Sequence, residues 1–140
     1  MNTLGIYDLT HKARYKLRSR MHAVDESQAQ EHAYLVARGV RPLAIVGNCP
    51  AQDIEMFRVV AKLEDLGCPG AIPFVFPRND GNADYGYASG AWCIDLLRWT
   101  ESDAVPAQHR HRIIGLLLGY SVDAIRMHEE LSCGRLFPEP

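Results

Sequence analysis

Apolar side chains recur at helical spacing along most of the chain, and caps and breakers cut the pattern into segments. Ala29, Ala33, Val36 and Ala37 form one stripe between Asp25, an N-cap followed three residues on by Gln28, and Gly39, a good C′ residue. That spacing predicts a helix over about 25–38. Pro50 occupies a favoured first helical position, Ile54, Phe57, Val60, Ala61 and Leu63 are the expected apolar face of the next helix, and Gly67 ends it.

Further helices are expected where Ser89 precedes Trp92, Cys93, Leu96, Leu97 and Trp99, where Pro106 opens a run through His111 to Leu118, and where Ser121 caps Ile125, Met127, His128 and Leu131 as far as Gly134. Asp123 suits the positive end of the last of these. Residues 10–24 fit either an alternation, with Ala13, Tyr15, Leu17 and Met21 against even-numbered cations, or a narrow helical stripe of Ala13, Leu17, Met21 and Val24; the helix is the preferred reading.

Two segments depart from helical spacing. Ile72–Phe76 and Asp84–Tyr87 flank Arg78-Asn-Asp-Gly-Asn82, a cluster that tolerates tight turns, and predict a short β-hairpin. Leu43–Val46, between Pro42 and Gly47, is too short for periodicity to separate a buried strand from a turn of helix. The fold class expected is mainly α (α+β): about six helices around one core, with a hairpin near residues 72–87, in a single globular domain spanning 1–140. Neither a repeat nor a long linker divides the chain.

Composition supports a folded chain, since 47% of the residues are hydrophobic and 23% charged. The amino-terminal residues lack the basic start and apolar run of a secretory signal, and the longest apolar stretch, Ile113–Gly119, falls far short of the ~20 residues that span a bilayer. A soluble, cytoplasmic protein without membrane partners is expected. Charge is uneven: Lys12, Arg14, Lys16, Arg18 and Arg20 give residues 10–24 a charge of +5 in a chain of net −2, so the remainder carries −7. An anionic partner, whether nucleic acid or an acidic protein, would meet this basic arm first.

Cys49, Cys68, Cys93 and Cys133 form no C-x-x-C pair, so neither zinc nor a redox dithiol is implied. Cys49 is the one thiol with a reason to be reactive, because a helix beginning at Pro50 would lower its pKa. The order apolar segment, Cys49-Pro50, helix, Ile72-Pro73 and hairpin resembles a thioredoxin-type arrangement, in which a proline faces the redox cysteine. The interval from Cys49 to Pro73 lacks that family's intervening strand and helix, and no resolving cysteine follows at close range.

Ile114-Gly-Leu-Leu-Leu-Gly-Tyr-Ser-Val-Asp-Ala-Ile125 resembles the core of a helix-turn-helix, with Gly115 for close packing, Gly119 for the turn and Ser121 as cap. The resemblance implies DNA binding, yet Asp123, Glu129 and Glu130 stand where phosphates would repel them; an ordinary helical hairpin is the competing reading. Asp80, Asn82 and Asp84 match the first ligands of a calcium loop, but Tyr85 replaces its glycine and Ala91 its bidentate glutamate. His109 and His111 diverge on a helix. No metal and no cofactor is expected, and P-loop, dinucleotide and nucleophile-elbow motifs are absent.

Tyr85, Tyr87, Trp92 and Trp99 cluster around the hairpin, where aromatics serve as core or as a protein-binding surface. Three functions follow in order: a non-enzymatic protein that binds and regulates, inhibits or scaffolds a larger protein, with those aromatics as contacts; a nucleic-acid-binding protein using the basic arm and the C-terminal hairpin; and a thiol enzyme using Cys49.

Overall fold

The computed structural model describes residues 23–136. Three antiparallel strands, β1 (Leu43–Pro50), β2 (Ile72–Pro77) and β3 (Asn82–Ala88), make one sheet in the order β1-β3-β2. Five helices complete the described fold: α1 (Glu26–Ala37), α2 (Asp53–Leu66), α3 (Ala91–Thr100), α4 (Ala107–Leu117) and α5 (Val122–Leu136). The class is α+β; of the sixth expected helix, over 10–24, residues 10–22 lie outside the described residues, and Ala23 and Val24 are not helical.

The expected single core is instead two, one on each face of the sheet. Pleating separates them, because successive strand side chains point to opposite faces. On one face Ala44, Cys49, Tyr85 and Tyr87 meet Ala29, Ala33 and Val36 of α1 and Val59 and Leu63 of α2. On the other, Leu43, Phe74, Phe76 and Ala88 meet Cys93 and Leu97 of α3 and Leu117 of α4.

The expected hairpin forms, with Phe76 opposite Asp84 and Phe74 opposite Gly86. Its connection uses Gly81 at φ +86, and Asp80 Oδ1 accepts the Asn82 N–H at 2.9 Å. Leu43–Val46 proves to be strand, and the strand continues to Pro50 as a third member of the sheet. A bulge between Ile45 and Gly47 shifts its parity, so Ala44 and Cys49 face the same helices although Cys49 is an odd number of positions further along the strand. Opposite the bulge, a Cβ on Gly86 would collide with the Ala44 carbonyl oxygen. Only glycine lets the two backbones approach so closely.

Asp25 caps α1 as expected, its Oδ1 accepting the Gln28 N–H at 3.0 Å, and Gly39 follows with φ +76. Three boundaries differ from expectation. Pro50 ends β1 rather than starting a helix, and Gln52 takes the N-cap position of α2. Gly90, not Ser89, precedes α3, and Ser89 Oγ lies 3.5 Å from Cys93 Sγ. α5 runs past Gly134 to Leu136.

The largest correction concerns which face of α2 is inside. Ile54 and Phe57, expected in the core, are 46% and 79% exposed; Leu63 is buried as expected, but its buried companions are Glu55 and Val59. α2 carries apolar residues on two faces, and periodicity cannot say which meets the sheet.

Candidate functional site

Tyr85 and Tyr87 stand on β3 under α1 and α2, both fully buried. The Tyr87 hydroxyl donates to the Leu63 carbonyl at 2.7 Å, tying the end of α2 to the sheet. Tyr85 fills the space opposite Gly47, where a Cβ would come within 2.7 Å of its hydroxyl oxygen. Burial, above all, pushes both phenols up to about 12. These two are structural cores of the α1/α2 layer, out of reach of any partner.

The tryptophans lie on the opposite side of the sheet, on α3. Cys93 and Leu97 turn inward there and Leu96 is half-buried. Trp92 and Trp99 remain 55% and 48% exposed. Residues at i, i+4 and i+7 share one helix face, so Trp92, Leu96 and Trp99 form a continuous ridge. The sequence spacing shows this triplet once α3 is known to be a helix; Leu96 was missed because the aromatics were grouped by type. The Trp92 indole lies back over Gly90, where an added Cβ would be 2.8 Å from the ring. An exposed Arg98–Asp95 pair at 3.5 Å borders the ridge.

Arg78 fixes α3 against the hairpin. One guanidinium nitrogen meets Asp84 at 3.0 Å and the other meets Glu101 at 2.7 Å, just beyond the end of α3. Burial raises the Asp84 carboxyl, and the Arg78 charge opposes that shift. Asp84 thus serves an ion pair while Asp80 holds the turn, so the calcium-like residues do not converge. Among the described residues no group of three His, Cys, Asp or Glu side chains could hold a metal ion.

Cys49 is buried inside β1, not at a helix start, and burial followed by Glu55 and Asp84 pushes its thiol up. That is opposite in sign to the activation expected of a nucleophile. Cys49 pairs with Ala83 and Pro73 with Tyr87, so β3 and much of the sheet's length separate them, unlike a thioredoxin-type site. Lys12, Arg14, Lys16, Arg18 and Arg20 lie outside the described residues.

The C-terminal hairpin has the expected joint. Gly119 has φ +84, Ser121 Oγ accepts the Ala124 N–H at 3.0 Å, and a Cβ on Gly115 would come within 2.8 Å of Ile125. Two of its exposed cations are paired in place, Arg112 with Glu129 at 2.9 Å and Arg126 with Asp123 at 3.4 Å. His111 and His128 sit edge to face, 5.9 Å apart, in a groove of about 420 Å³ between α4 and α5. Among the described residues no helix is long and apolar enough to cross a membrane. No family model, no curated protein and no solved structure matches the chain.

Proposed function

We propose that the protein is a small non-enzymatic binding protein that regulates, inhibits or scaffolds a larger protein, and that it docks through the Trp92–Leu96–Trp99 ridge of α3. The half-exposed tryptophan pair on one helix face carries this reading. A helix that presents apolar anchors at i, i+4 and i+7 is built to lie in an apolar groove of another protein. Tryptophan is among the residues that dominate such interfaces, and the Arg98–Asp95 pair supplies a polar rim.

Each indole retains on the order of 100 Å² that a partner can cover, which at ~25 cal/mol per Å² corresponds to about 2–3 kcal/mol per ring. Rigidity supports the role. Cys93 and Leu97 anchor the ridge to the sheet and Arg78 ties its far end, so little ordering accompanies docking.

Trp92→Ala and Trp99→Ala are each expected to weaken the complex about thirtyfold or more. The check is affinity capture with intact protein and with the double variant, followed by titration of the recovered partner. These are the chain's two tryptophans, so their emission reports on the ridge alone, and it should shift to the blue as the complex forms. A double variant that keeps every partner, or an unshifted emission at saturation, would overturn the assignment. Turnover of a substrate by a protein that captures no partner would overturn the whole reading.

A further inference from the structure

The outer face of α2 presents a second apolar surface. Phe57, Val60 and Ala61 of α2 and Val75 and Pro77 of the edge strand β2 line a groove of about 690 Å³, and its charged residues, Asp53 and Glu64, are both acidic. Pro73 and Pro77 remove N–H groups from β2, which disfavours an added strand as the occupant. The described chain begins beside this face: Ala23 and Val24 share a depression with Arg58, Ala61 and Asp65, and Ala61 lines both hollows.

The sequence immediately before Ala23 is the complement of the groove. Ala13, Leu17 and Met21 recur every four residues among Lys12, Arg14, Lys16, Arg18 and Arg20, with no acid between. We propose that residues 10–22 of the same chain cover the outer face of α2, apolar residues against Phe57 and Ala61 and cations against Asp53, Glu64 and Asp65. The short tether makes this favourable, because an intramolecular segment acts at an effective concentration on the order of millimolar. Docking neutralises the arm's charge in cis, so an anionic ligand must displace it from α2 before binding it.

Zero-length carbodiimide coupling of the full chain, read by peptide mass spectrometry, tests the contact. Lys12 or Lys16 should couple to Asp53, Glu64 or Asp65 within the monomer, and the products should disappear in about 1 M salt, where the Debye length is about 3 Å. Phe57→Asp changes an exposed residue and leaves the core intact. With unchanged circular dichroism, it should lose the same products and be cut by trypsin after Arg14, Lys16 and Arg18 about tenfold faster than the wild type. Coupling confined to covalent dimers would assign the face to a second copy and overturn the proposal. So would absent products, or equal cleavage of both proteins.

Discussion

Tyr87 joins two elements through one hydroxyl. Its ring belongs to the layer beneath α1 and α2, and its O–H meets the Leu63 carbonyl in the last turn of α2, so Tyr87→Phe keeps the packing and removes a buried hydrogen bond. The expected loss is about 1–2 kcal/mol, measured by denaturant unfolding. Tyr85 and Tyr87 also set an alkaline limit. Their folded pKa of about 12 exceeds the ordinary phenol value of 10, so between those values the folded chain holds protons that the unfolded chain releases. Stability therefore falls as pH rises from 10 towards 12 and is unaffected by these groups below that window. Ultraviolet titration should show Tyr85 and Tyr87 ionising late, together with unfolding. Loss of these two phenolic protons at ordinary pH with the fold intact would contradict their burial. The sequence placed these tyrosines beside the tryptophans, near one hairpin, but a strand and the helix after it deliver side chains to different faces of a sheet. Cys49 was misread for a related reason: Pro50 resembles a helix start, and nothing local shows that its strand pairs with Asn82 across the sheet.

Among the elements, those with a cap at each end were legible and those defined by partners were not. Asp25, Gly39, Ser121 and Gly119 act through their own backbone neighbours, so sequence spacing located α1 and the α4–α5 turn. The extent of β1 depends on β3 and on a bulge opposite Gly86, which are long-range facts. The inner face of α2 was equally hidden, since a buried Glu55, 3% exposed, sits where a polar residue should turn outward. α5 depends chiefly on α4, through the contact that Gly115 allows with Ile125. Gly115→Leu should force the two helices apart, costing about 1–3 kcal/mol at that joint. Hydrogen exchange checks the consequence: amides of residues 122–136 should exchange about tenfold faster or more, with the sheet amides unchanged. Unchanged protection of α5 would show that the helix is held by something other than this joint.

At the scale of the molecule, the sheet is the shared wall of two hydrophobic layers, each with its own optical probe. Tyr85 and Tyr87 report on the α1/α2 layer, while Trp92 and Trp99 report on α3 in the other. β3 contributes to both layers at alternate positions, with Tyr85 and Tyr87 on one side and Ala88 on the other. Losing either layer would expose one face of the sheet to water and remove much of the apolar burial that holds β3 between its neighbours. Arg78 adds a tie from the hairpin to the end of α3, and Tyr87 one from the sheet to α2. Separate melting of the layers is therefore disfavoured, and the chain should behave as one cooperative unit. Thermal unfolding followed by tryptophan emission and by near-ultraviolet tyrosine absorption should give coincident midpoints, with calorimetric and van't Hoff enthalpies in agreement. Midpoints separated by more than about 4 °C, the shift that ~1 kcal/mol produces in a domain near this size, would mean that the α3 ridge sits on a layer able to open by itself. A rigid docking ridge requires the opposite: the tryptophans must lose their environment only when the tyrosines do.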